Sequence, residues 1–140
     1  MYNRVLIPVD VTVPDEAVDL LKKAQAISAA WGAEYHVVTV IPDVGMAIVG
    51  SFFNESFEAQ SRAEARKALN NAIAAAGVEA TAHILMGGVY DEVIKLAEKI
   101  EADMIIVGAH QPEQADYLLG STAARIVRHS EASVLVVRAS

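Results

Sequence analysis

The chain contains no cysteine. Disulfides, thiolate nucleophiles and cysteine-built metal sites are thereby excluded, and the expected setting is the cytoplasm, where disulfides are rare. Basic residues are few: 11 Lys and Arg stand against 18 Asp and Glu, for a net charge of −7. Nonspecific nucleic-acid binding needs a basic face, so no nucleic-acid partner is expected. An anionic ligand would have to be held by local geometry against the overall field. Long hydrophobic runs are also missing. The apolar stretches are strand-sized, whereas a membrane-spanning helix needs about 20 apolar residues, so no membrane insertion is expected. Met1 to Arg4 lead straight into a strand with no apolar signal segment.

The common catalytic signatures are absent too. There is no P-loop, no Gly-x-Gly-x-x-Gly fingerprint and no Gly-x-Ser-x-Gly elbow. His36, His83, His110 and His129 fall on separate elements without metal-ligand spacing, so neither a metal site nor a catalytic residue is assigned. No general base or water-positioning residue is evident, and any hydrolytic activity would be slow or absent.

What is present is an alternation of buried strands and helices over residues 1–140, a length suited to one domain. The strands are read at Arg4–Val9, Glu34–Ile41, Ala80–Met86, Met104–Val107 and Val134–Val137. The first helix opens at Pro14-Asp15 and runs with helical spacing to Trp31, where Gly32 ends it. A long helix from Glu55 to Ala76 is closed by Gly77, another follows Gly87-Gly88 from Tyr90 to about Ile100, and the last spans Ser121–His129. Arg128 and His129 in that last turn oppose the helix dipole. The segment 43–54 reads as an apolar loop suited to a partner surface or a cover. Continuous Val, Ile and Leu strands separated by helices imply an α/β fold, a doubly wound five-stranded parallel sheet of order 3-2-1-4-5. Ligands bind such sheets outside the carboxyl ends of the strands where the winding reverses, here between the first and fourth strands.

Two loops meet there. Gly108 ends the fourth strand and allows close approach of a ligand. Gly120-Ser121-Thr122 opens the last helix, whose free N–H groups and dipole favour an anion. Ser121 either caps that helix or joins Thr122 in donating to a phosphate. Asp10, after the first strand, either forms a turn, accepts from a ribose hydroxyl or carries a metal. Val40 and Ile41 either face a flat apolar ligand such as a purine or belong to the core.

Three runs carry a resemblance: Arg4-Val5-Leu6-Ile7-Pro8-Val9-Asp10, Ile105-Ile106-Val107-Gly108, and Leu118-Leu119-Gly120-Ser121 through Val134-Leu135-Val136-Val137. On these the chain resembles the universal stress proteins of the UspA superfamily over essentially its whole length, closest to a small nucleotide-binding subgroup with a His-x-Pro loop. The resemblance implies the same sheet, of the adenine nucleotide alpha hydrolase type, and an ATP or AMP site, with or without Mg2+. The positions it implies are Pro8, Val9 and Asp10 after the first strand, Val40 on the adenine side, Gly88 beside the site, and Gly108, His110, Gln111, Gly120, Ser121 and Thr122 at the phosphates. The second glycine of the family's phosphate loop is replaced by Gln111, flanked by His110 and Pro112, and Pro112 biases Gln111 toward extended angles. The resemblance further implies a homodimer paired through Val134, Leu135, Val136 and Val137, an apolar strand that would risk aggregation if left open. The expected function is an adenine-nucleotide-binding regulatory dimer in stress response. The alternative is a dimeric protein-interaction module that binds no nucleotide and acts on an unknown protein partner. A phosphoacceptor receiver domain is rejected, because Met86-Gly87 ends the third strand where an Asp is needed and Arg138-Ala139-Ser140 offers no Lys after the fifth.

Overall fold

The computed structural model describes residues 1–42, 55–109 and 119–138. The elements in chain order are β1 (Arg4–Pro8), α1 (Pro14–Ser28), β2 (Glu34–Ile41), α2 (Glu55–Ala76), β3 (Thr81–Met86), α3 (Val89–Lys99), β4 (Met104–Gly108), α4 (Ser121–His129) and β5 (Ser133–Val137). All strand pairs are parallel and the sheet order is β3-β2-β1-β4-β5. This is the doubly wound order expected from the strand–helix alternation.

Successive strand residues point to opposite faces, and the chain uses both. On one face Val5 and Ile7 of β1, with Val37 and Ile106, pack against Leu21 of α1 and Leu69 of α2. On the other, Leu6, Val38 and Ile105 pack against Val93 of α3 and Ile126 of α4. The side chains of Val5, Leu6, Ile7, Ile105 and Ile106 are completely buried, each worth roughly 1.5–3 kcal/mol relative to exposure. Residues 5–7 of β1 and 104–107 of β4 are apolar at every position because helices cover both faces.

Most boundaries fall within one residue of the expected ones, and one difference has a clear cause. The α-helical part of α1 stops at Ser28, and Ala29–Trp31 continue as a tighter 3₁₀ turn before Gly32, at φ 63°. Ser28 is fully buried. Its hydroxyl donates to the Ala24 carbonyl at 2.6 Å and meets Tyr35 Oη at 2.5 Å. That back-bond to the preceding turn competes with the helical ladder at the place where the helix tightens. At β1 the strand ends at Pro8, yet Val9 N–H still donates to Val38 O at 2.9 Å.

The amino ends of the strands are tied by polar side chains. The carboxylate of Asp103 accepts from Asn3 N–H and Arg4 N–H, at distances of 2.9–3.2 Å. Further along the sheet, Glu34 Oε2 lies 2.5 Å from His36 Nε2, and His36 Nδ1 lies 2.8 Å from His83 Nε2. Arg4 Nε pairs with Glu34 at 3.2 Å, so one polar chain crosses β1, β2 and β3.

Candidate functional site

The winding reverses between β1 and β4, and a cavity of about 1010 Å³ opens there at the carboxyl ends of the strands. Its size lies at the upper end of the range for small-molecule sites. Each wall has a local reason to be where it is. Val9, Asp10 and Thr12 follow β1; Gly108 ends β4; Val40 and Ile41 end β2; Val89 and Val93 come from the first turns of α3. Parallel strands deliver all these turns to the same edge.

The start of α4 is a second wall. Gly120 is the N-cap residue, at φ −60° and ψ 152°, and among the described residues no side chain caps the helix. Ser121 is therefore the first helical residue, which corrects the reading of Ser121 as the cap. The first intrahelical bond runs from Ala124 N–H to Gly120 O at 2.9 Å. Gly120, Ser121 and Thr122 all line the cavity. Donors of a helix's first turn have no intrahelical acceptor, and the dipole adds positive potential there. Arg128 and His129 occupy the last turn of α4.

Gly108 is not demanded by the backbone, since among the described residues only Gly32, Gly77 and Gly87 are glycines with positive φ. Nor is it demanded by packing, since a Cβ there would meet only Leu20 Cδ2, at 3.7 Å. A glycine that neither strain nor crowding requires, on a cavity wall, keeps room for whatever enters. Gly88 differs: it caps α3 in extended conformation, and its neighbour Val89 rather than Gly88 itself lines the cavity.

Asp10 does form the turn. Its Oδ1 accepts from Thr12 N–H at 2.9 Å and from Thr12 Oγ1 at 2.6 Å, while the residue also borders the cavity. Val40 and Ile41 likewise do both: they line the cavity and pack against the two core clusters. Pro8 and Val9 join them on the wall. Of the positions named from sequence, Pro8, Val9, Asp10, Val40, Gly108, Gly120, Ser121 and Thr122 are thus brought to one cavity. His110, Gln111 and Pro112, and the apolar segment 43–54, lie outside the described residues. Among the described residues, no group of three or more His, Asp and Glu is placed to hold a metal ion. No described helix is long and apolar enough to cross a membrane.

Sequence reasoning missed the contributions of the helices flanking one face. Asp15, Glu16 and Leu20 of α1, Glu64 of α2 and Arg138 after β5 also line the cavity. The signal was available: in a parallel sheet every helix that follows a strand starts at the carboxyl edge, so its first turns face the crevice.

The family model for the universal stress protein family matches residues 1–138. The chain belongs to the universal stress protein family. Among curated relatives of this family, universal stress protein A homolog 1 of Coxiella burnetii is 34% identical over 140 residues, covering 97% of this chain and 96% of that protein. Among solved structures, the hypothetical protein MJ0577 superposes with a TM-score of 0.80 at 28% identity, covering 100% of this chain and 98% of that one. A universal stress protein crystallised in complex with cAMP superposes with a TM-score of 0.66 at 26% identity, covering 99% and 98%. Universal stress proteins thus share the sheet described above.

Proposed function

We propose that this universal stress protein binds an adenine nucleotide, ATP or AMP, in the cavity between β1 and β4 and acts as a regulatory module rather than as a catalyst. The observation that carries the reading is that the start of α4 and a set of apolar residues line the same cavity. The start of α4 offers first-turn N–H groups with the Ser121 and Thr122 hydroxyls; Val40, Ile41 and Val89 offer apolar lining. That pairing suits a ligand with a phosphate at one end and a purine at the other. Asp10, on the same cavity wall after β1, is the acceptor we assign to the ribose. The cAMP complex of a relative supports the adenine choice. Isothermal titration with ATP, ADP, AMP and cAMP, with and without Mg2+, tests it. Saturable heat with at least one of them is expected, and no heat with any at high protein concentration removes the reading.

The proposal includes pairing of two copies through β5. That strand is at the sheet edge, bonded to β4, and Val134, Leu135, Val136 and Val137 are each only partly buried. An apolar edge with open backbone groups is a template for another strand. The same edge supports the second reading, an interaction module without nucleotide. Sedimentation of the purified protein with and without nucleotide separates them: a dimer indifferent to nucleotide, together with silent titrations, favours the interaction module. A monomer contradicts the pairing in both.

A further inference from the structure

The cavity favours an anion at one place and opposes anions around much of its rim. Among the described residues, the lining holds five carboxylates, Asp10, Asp15, Glu16, Asp19 and Glu64, and one guanidinium, Arg138. Part of this charge is met locally. Lys23 Nζ stands 3.0 Å from Asp19 Oδ2, although Lys23 is not itself a lining residue. The basic residues of α4 do not compensate at its start: Arg128 and His129 sit in its last turn, and the Arg125 guanidinium lies 4.9 Å from the centre of the Tyr90 ring.

The acidic turns of α1 border the phosphate side of the cavity rather than the apolar wall. Leu20 is the side chain that a Cβ on Gly108 would touch, and Lys23 Nζ donates to Arg138 O at 3.1 Å. Glu16 and Asp19 precede these two residues by one helical turn, and positions three and four apart share a helix face. They therefore stand along the edge between Gly108 and Arg138, next to where the start of α4 would hold a phosphate.

Building on the adenine-nucleotide reading, we infer that this carboxylate rim sets the charge of the ligand. The site selects a nucleotide with a single phosphate group over the di- and triphosphate, and takes a polyphosphate only as its divalent-cation complex. One phosphate fits the start of α4, where Gly120, Ser121 and Thr122 line the cavity. Each further phosphate adds about one negative charge facing the rim, and repulsion summed over several carboxylates in a concave site exceeds what one isolated surface pair would give.

The test is calorimetric titration of AMP, ADP and ATP into the full chain at low salt, first with chelator and then with Mg2+. With chelator, affinity is expected to fall by about tenfold or more from AMP to ATP, and Mg2+ is expected to recover most of the loss for ATP. Raising the salt shortens the screening length from about 10 Å at 0.1 M to about 3 Å at 1 M and is expected to compress the gap. The double substitution Asp15→Asn with Glu16→Gln is expected to raise ATP affinity in chelator more than AMP affinity and so to narrow the gap. ATP binding as tightly as AMP in chelator overturns the inference and leaves the nucleotide reading standing. A gap that ignores salt overturns it as well, and does so even where the double variant does not fold. Absence of binding by all three nucleotides, with and without Mg2+, overturns the nucleotide reading and the selectivity with it.

Discussion

His83 illustrates how one residue carries a measurable pH dependence. Burial, followed by the nearby charges of His36, Lys99 and Arg66, holds its pKa below the usual 6.5. A carboxylate only accepts, so His36 Nε2 donates to Glu34, and one proton lies between His36 Nδ1 and His83 Nε2. The folded-state pKa is therefore depressed, so the unfolded chain takes up the proton first. The stability that depends on neutral His83 is complete above pH 6.5 and is lost as pH falls through the lower folded value. Thermal melts between pH 7.5 and 5 are expected to show a falling midpoint that is flatter in His83→Gln; equal slopes in the two proteins would rule this out. Glu34 and Asp103 act in the same direction at lower pH. The hydrogen bond from His36 lowers Glu34, and although desolvation opposes it, bonds from Asn3 and Arg4 N–H lower Asp103.

At the site, Thr122 is the residue whose loss isolates a single donor. It lies at the second position of α4, partly buried, on the cavity wall. A neutral hydrogen bond contributes about 0.5–1.5 kcal/mol, so Thr122→Ala is expected to weaken AMP binding by about two- to tenfold. Its melting temperature is expected to stay within about 2 °C. Titration paired with a melt decides it: unchanged affinity removes Thr122 from the phosphate contacts, whereas a large fall in melting temperature would make it structural. The polar and glycine positions of the site were legible in sequence because few packing reasons account for Asp10, Gly108 or Gly120. Ser121 was less so, since a hydroxyl before a helix reads equally as a cap, and only the backbone angles of Gly120 decide which residue caps.

The same contrast holds for elements. Helices and strands of this chain follow from period and boundary residues: Pro14 opens α1, Gly77 at φ 72° follows α2, and continuous apolar runs mark β1 and β4. The tight turn at the end of α1 was not legible, because it depends on the buried contact between Ser28 and Tyr35 across the turn into β2. The acidic rim was missed for a different reason. Asp15 and Glu16 read as good first-turn residues for a helix dipole, and that local explanation hid what the parallel topology dictates, that this first turn also faces the crevice. The turn from β3 into α3 yields a prediction at this scale. Gly87 has φ 139°, its N–H donates to Ile41 O at 3.0 Å, and a Cβ would approach Glu92 Cγ at 3.2 Å. Gly87→Ala is expected to cost about 1–3 kcal/mol in backbone strain and to lower the melting temperature by several degrees. Gly88→Ala, at ordinary φ and facing the Asp91 carboxylate at 3.3 Å, is expected to cost less. Melts of the two variants side by side check the order, and an equal loss would show that strain at Gly87 is relieved elsewhere.

For the whole molecule, the cavity joins parts of the chain that are distant in sequence. Its walls come from the ends of β1, β2 and β4 and from helices on both faces of the sheet. A ligand seated there touches structure that exists only when both core clusters are assembled, so it binds the folded state and not the unfolded chain. Mass action then fixes the stabilisation: at a free ligand concentration 100 times Kd it is about 2.7 kcal/mol. For a domain of this size each kcal/mol shifts the midpoint by roughly 3–5 °C, so the expected rise is about 8–13 °C. Because no wall can separate without opening the site, the transition is expected to move as one cooperative step in both near- and far-ultraviolet circular dichroism. Calorimetric scans at several AMP concentrations measure this, and the rise should follow the logarithm of free AMP. Early melting of α4 and β5 at a midpoint independent of AMP would place the ligand away from the helix start at Gly120, and with it the phosphate contacts assigned to Ser121 and Thr122.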